Sequence, residues 1–152
     1  MSATSKPSKS SKSSNSGETS LITPPKPIRC LVIQLTRLGD TLQSLMALRA
    51  AKQLYPQLEI HFVARERFAA AAKRVPWIHN VVTLPTDAIL GPVLKGERPE
   101  TEAMGDIARW IAPLVKDPWD MIVNWSYSEA SSYLTGLLPG RVYSDDGRDL
   151  AE

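Results

Sequence analysis

A chain of 152 residues is the size of one ordinary domain, and with 43% hydrophobic and 22% charged residues its composition excludes a wholly disordered, collagen-like or fibrous protein. The formal charge of +2 is accounted for by Lys6, Lys9 and Lys12 against Glu18, so the rest of the chain is close to neutral and has no basic face for nucleic acid. Cys30 stands alone and rules out an internal disulfide, no apolar run approaches the roughly 18 residues of a membrane-spanning helix, and no secretory signal opens the chain, so the expected compartment is the cytoplasm.

Residues 1–20 are serine-rich with almost no large apolar side chain. Such a segment cannot bury enough surface to offset its ordering entropy, so residues 1–27, ending in the stiff Pro24-Pro25-Lys26-Pro27, are expected to form a disordered tail. A folded domain is expected over 28–143, followed by a short polar end at 144–152. Cys30-Leu31-Val32-Ile33-Gln34-Leu35 reads as a strand buried on both faces. Thr36 to Gly39 is a turn, and Asp40 is a favoured cap for a helix over 41–55, with Leu42, Leu45 and Met46 on its apolar face and Pro56 stopping it.

Leu58 to Ala64 alternates apolar and polar residues as a second strand, and alanine-rich 66–74 is a helix ended by Pro76. Val81 to Leu84 forms a third strand. Pro85 to Pro99, broken by Gly91, Pro92 and Gly96, is expected to be irregular. A helix over 102–115, a buried strand over 121–125, a helix over 128–138 and a final strand beginning at Arg141 complete the series. Alternating strands and helices with short connections imply an α/β doubly wound parallel sheet with right-handed crossovers. In such sheets ligands bind beyond the carboxyl ends of the strands, which singles out 36–40, 65–67 and 126–128.

The first strand–turn–helix has one glycine, Gly39, and matches neither G-x-G-x-x-G nor the P-loop pattern. Gly39 is able to take a positive φ and admit a ligand to the backbone. Asp40 places a carboxylate at the mouth of the sheet, either as a chemical group or as an ordinary helix cap. Arg65 and Arg67 could grip phosphate or carboxylate groups, or simply face solvent at a helix start. Ser126, Tyr127 and Ser128 offer hydroxyl-bearing partners for a polar ligand, with helix capping an equal role for Ser128. His61 and His79 are far apart in sequence without metal-ligand spacing, so no metal site is expected. The tryptophans are expected to pack in the core or an interface, although Trp125 lies at the ligand-facing end of its strand.

The stretch from Cys30 to Pro56, with its apolar strand, Leu38-Gly39-Asp40 turn, Ala47-Leu48-Arg49 helix core and closing proline, resembles the amino terminus of glycosyltransferase family 9, the lipopolysaccharide heptosyltransferases. The likeness continues through Ile60 to Arg65 and Phe68, Val75 to Ile78, and Trp119 to Trp125 with the helix that follows. Met46 stands where many members have proline. This resemblance implies one Rossmann-like half of a GT-B architecture, the half that binds the acceptor sugar. It implies inverting transfer from an ADP-heptose-like nucleotide-sugar, no metal and no other cofactor, with Asp40 as general base. Thr36, Arg37, Gly39, Arg65, Arg67, Ser126 and Ser128 become the candidate acceptor contacts. The implied partners are a lipopolysaccharide core or related glycan and a donor-binding domain or separate partner chain, with peripheral association at the inner face of the inner membrane. No donor domain follows residue 143 in this sequence, so the chain is expected to be truncated and inactive alone. The alternative expectation is a non-catalytic Rossmann-like binding or remnant domain.

Overall fold

The computed structural model describes residues 26–144; the expectations for the two ends of the chain lie outside the described residues. Five parallel strands, β1 (Ile28–Gln34), β2 (Leu58–Arg65), β3 (Asn80–Leu84), β4 (Trp119–Asn124) and β5 (Gly140–Ser144), form one sheet in the order β3-β2-β1-β4-β5. The chain first winds outward from β1 through β2 to β3, then returns to the other side of β1 for β4 and β5. The direction reverses between β1 and β4, which makes their carboxyl ends the switch point of the doubly wound sheet.

Central β1 is covered on both faces, and Cys30, Leu31, Val32 and Ile33 are wholly inaccessible. Cys30 and Val32 pack with Ile60 and Phe62 of β2, with Leu45 and Leu48 of helix α1 (Leu38–Leu54), and with Ala69 and Ala72 of α2 (Glu66–Lys73). On the opposite face Leu31, Ile33, Val63 and Ile122 pack against Ile111 and Leu114 of α4 (Glu100–Val115), with Leu134 of α5 (Glu129–Gly136) beside them. Burial in this low-dielectric layer pushes the Cys30 thiol up to about 12, so it is an inert packing group.

Several expected boundaries move. Helix α1 begins at Leu38, and its cap position is Arg37; Asp40 is the third helical residue. Its carboxylate reaches back to accept from the Arg37 N–H at 3.2 Å, satisfying a donor that the helix start leaves free. Gly39 lies inside that first turn and does not have a positive φ. The buried face of α1 is Thr41, Ser44, Leu45 and Leu48, whereas Leu42 and Met46 are exposed. The hydroxyls of Thr41 and Ser44 donate to the carbonyls of Arg37 (3.1 Å) and Asp40 (2.8 Å), which lets two polar residues occupy positions expected to be apolar.

The segment expected to be irregular after Pro85 contains helix α3 (Thr86–Leu94). Its start is fixed from outside. The Asp87 N–H donates to the Glu66 carboxylate at 2.6 Å, and the Asp87 carboxylate accepts from Arg67 at 2.7 Å. Ile89 is buried before the chain reaches Gly91 and Pro92. The helix nevertheless runs through both to Leu94, and Gly96 then turns the chain at φ 71. Helix α4 starts two residues earlier than expected and is laced by Arg98 to Glu102 and Asp106, with Asp106 also bound by Arg109. Strand β4 likewise extends back to Trp119, whose N–H donates to the Pro139 carbonyl at 2.8 Å. Helix α5 is shorter than expected, and its last turn tightens through Leu137 and Leu138 bonding three residues back.

Candidate functional site

At the switch point, on the α1 side of the sheet, Gln34, Thr36, Asp40, Gln43, Ser44, Trp125 and Tyr127 line an open cleft of about 300 Å³. That is the lower end of the roughly 300–1,000 Å³ of small-molecule sites. The floor is built by Gln34, the last residue of β1, which is almost fully buried. Its Nε2 donates to Ser44 Oγ at 3.0 Å, tying the strand to the first turns of α1. Its Oε1 accepts from the Thr36 N–H at 3.2 Å and the Thr36 hydroxyl at 2.6 Å, which folds the turn over the strand end. A buried amide with both ends engaged holds one orientation, so the turn that delivers Asp40 is rigid.

Asp40 itself is exposed. Its pKa lies below the ordinary aspartate range, first through the Thr36 hydroxyl, then through the Arg37 N–H, with the Arg37 charge adding a smaller push. The Thr36 hydroxyl has one proton and two takers, Gln34 Oε1 and the Asp40 carboxylate, so it is shared between floor and acid. At neutral pH Asp40 is a carboxylate with lone pairs open to the cleft. A Cβ built on Gly39 meets nothing within 4 Å, so neither conformation nor packing within this chain demands glycine there.

Across the cleft the loop after β4 is held by Ser126. Its hydroxyl accepts from the Leu35 N–H at 2.6 Å and lies 3.4 Å from the Ile33 carbonyl, and its own N–H donates to Asn124 Oδ1 at 3.0 Å. Ser126 is buried, so it positions Trp125 and Tyr127 and does not line the cleft itself. Trp125 is half-buried and further fixed by its N–H to the Ile33 carbonyl at 3.0 Å, while Tyr127 is exposed.

The other candidates are placed elsewhere. Arg37 and Gly39 sit on the Asp40 turn without lining the cleft. Arg65 and Ser128 line a separate, more apolar cavity of about 190 Å³ on the α4 and α5 side, with Leu35, Ile89, Trp110 and Leu134 among its walls. Ser128 also caps α5, accepting from the Ser131 N–H at 3.2 Å. Arg67 is ion-paired with Asp87 at the surface. Gln34, Gln43 and Ser44 were not singled out from the sequence. Gln34 ends the strand after four apolar residues, and Gln43 and Ser44 follow Asp40 at helical spacing, so a polar stripe radiating from Asp40 was the available signal.

The sequence distance that argued against metal ligation is closed in space. The rings of His61 and His79 are 4.9 Å apart, and Glu59 joins them in a group whose ligand-capable atoms lie within 4.8 Å of one another. This group is at the amino ends of the strands, away from the cleft. Burial chiefly, with the nearby His79 and Arg29, pushes the His61 pKa down to about 4, so its imidazole is neutral.

A Rossmann-like α/β sheet with a polar cleft at its switch point is thus the class of protein that fold and site define. Among solved structures the chain is similar to E. coli heptosyltransferase WaaC with ADP-2-deoxy-2-fluoro heptose, with a TM-score of 0.66 and 19% identity over 77% of this chain and 36% of that one. The same protein with ADP gives 0.64 at 21% identity, covering 77% and 35%. The glycosyl transferase family 9 structure from Veillonella parvula DSM 2008 gives 0.59 at 20% identity, covering 80% and 33%. The shared property is the fold, and the chain spans about a third of the length of each of these structures. No family model and no curated protein matches the sequence. No helix among the described residues is long and apolar enough to cross a membrane.

Proposed function

We propose that this domain is the acceptor-side half of a heptosyltransferase-like glycosyltransferase and that Asp40 is its general base. The observation that carries the proposal is an ionised, exposed Asp40 held at the switch point, facing a polar cleft walled by Trp125 and Tyr127. Its support is the fold shared with heptosyltransferase structures and the resemblance of the 30–56 segment.

An acceptor sugar of a lipopolysaccharide core would lie in the cleft with Trp125 and Tyr127 offering apolar faces and Thr36 and Gln43 hydrogen-bonding its hydroxyls. The reacting hydroxyl points at Asp40. As its oxygen bonds to the anomeric carbon of the nucleotide-sugar, the proton passes to the Asp40 carboxylate. The bond from that carbon to the diphosphate breaks, and its electron pair leaves with the nucleotide. Arg37 and Arg65 are near enough to the strand ends to meet anionic groups of a larger acceptor, whereas Arg67 and Ser126 serve structural contacts. The donor is held by a second domain, in line with the fraction of the heptosyltransferase structures that this chain spans. Without that domain the two reactants are not oriented, an effect that in enzymes supplies roughly 7–11 kcal/mol of barrier lowering, so the 152-residue chain alone does not turn over.

A heteronuclear NMR titration of the 152-residue chain with lipopolysaccharide core oligosaccharide tests the acceptor assignment. Saturable shifts should concentrate at Thr36, Asp40, Trp125 and Tyr127. Absence of saturable binding, or shifts confined to another surface, would leave the non-catalytic remnant as the better reading.

A further inference from the structure

Glu59 and His61 are two residues apart on β2 and therefore share one face of the sheet. His79 immediately precedes β3 and is pinned beside them by its N–H, which donates to the Ile60 carbonyl at 2.9 Å. One potential ligand atom from each of the three lies within 4.8 Å of the other two. His61 is wedged edge-on against Trp119, with ring centroids 4.8 Å apart, and its Nε2 is shielded from water with no hydrogen-bond partner among the described residues. An orphaned nitrogen of that kind is rare in a folded chain, because burial strips its water without replacing it. His79 is exposed and leaves a way in from solvent.

We propose that Glu59, His61 and His79 bind one divalent transition ion of the zinc class. Two imidazoles are the borderline donors such ions prefer and a carboxylate oxygen is a ligand they accept, whereas magnesium and calcium seek all-oxygen shells. Three protein ligands leave the fourth tetrahedral position to water. Ligands at about 2.0–2.1 Å from a tetrahedral ion stand roughly 3.3 Å apart, so no pair in the group has to close by more than about 1.5 Å on binding. His61, held by Trp119, is the fixed member; the exposed His79 ring and the long Glu59 side chain supply the movement. The neighbouring Arg29 guanidinium is drawn away over the Trp119 ring, 4.5 Å from its centroid, and donates to the Pro118 carbonyl at 3.2 Å. The bound ion ties β2 to the entry of β3, the edge strand of the sheet, at the end opposite the Asp40 cleft.

Calorimetric titration of the tag-free, metal-stripped 152-residue chain with Zn2+, repeated with Co2+ as a spectroscopic reporter, tests the site. One ion per chain is expected, with the visible absorption of four-coordinate Co2+. His79→Ala and Glu59→Gln, both at positions outside the sealed core, should each weaken binding by about tenfold or more, since loss even of a ligand's supporting partner costs roughly 10–100-fold. Circular dichroism identical to wild type shows that either variant is folded. Absence of stoichiometric binding, or wild-type affinity in either folded variant, would overturn the proposal.

Discussion

At the scale of single residues the cleft is held by side-chain hydrogen bonds within the fold. Gln34 spends both ends of its amide on Ser44 and Thr36, and Ser126 joins the ends of β1 and β4 through the Leu35 N–H. Ser126→Ala leaves that N–H buried without a partner, and such groups cost about 1–3 kcal/mol. Chemical denaturation should show a loss of this size, and loss of amide protection at Leu35 should accompany it. An unchanged midpoint would mean that water replaces the hydroxyl. Thr36 and Asp40 were legible in the sequence because a polar turn between an apolar strand and a helix has a known place in doubly wound sheets. Ser126 was legible as a residue near the site but not in its role, since a serine after a strand reads the same whether its hydroxyl faces a ligand or a backbone amide.

Asp40 also predicts a pH dependence. Its folded pKa is depressed, so the favourable interactions of the carboxylate with Thr36 and Arg37 are present above the unfolded aspartate pKa and are lost as pH falls through the lower folded value. In an active assembly the acid limb of kcat/KM should therefore lie below the ordinary carboxylate range. A limb near neutrality would assign the base to another group.

At the scale of elements, type and order followed from the sequence for every element but α3, while faces and ends depended on neighbours. Leu42 and Met46 appear apolar in any window, yet α1 turns Thr41 and Ser44 inward because their hydroxyls find backbone carbonyls one turn back. Helix α3 was hidden by Gly91 and Pro92, and its start is fixed by Glu66 and Arg67, some twenty residues earlier in sequence. No local pattern records such contacts. Near the other edge of the sheet, Gly140 opens β5 at φ 156, and a Cβ there would stand 2.6 Å from the Trp119 carbonyl oxygen. Gly140→Ala should cost at least the roughly 1–3 kcal/mol of a strained backbone position, because the clash is with main chain that cannot rotate away. Hydrogen exchange should localise the damage to β4 and β5. A neutral effect would show that the Trp119–Ile122 irregularity relaxes to accept a side chain.

At the scale of the whole molecule the sheet order β3-β2-β1-β4-β5 gathers turns distant in sequence around one opening. Thr36 and Trp125 become neighbours through the adjacency of β1 and β4, a pairing that the alternation of strands and helices does not by itself specify. The same topology separates residues that sequence proximity to strand ends had grouped. Arg65 and Ser128 fall on the α4 and α5 side, and only the pairing of faces decides this.

Turnover in a complete two-domain assembly tests the central claim, that Asp40 accepts the proton of the attacking sugar hydroxyl, most directly. The 152-residue chain, joined to the nucleotide-sugar-binding domain of a heptosyltransferase, should transfer heptose where the chain alone does not. Asp40→Asn retains an oxygen able to accept from the Arg37 N–H, so the fold and thermal midpoint should be kept. The amide cannot take the proton, so turnover should fall by about 10²–10⁴-fold with little change in acceptor binding. A folded Asp40→Asn assembly that transfers heptose at nearly the unsubstituted rate would contradict the assignment and reduce Asp40 to a residue that only fastens the start of α1.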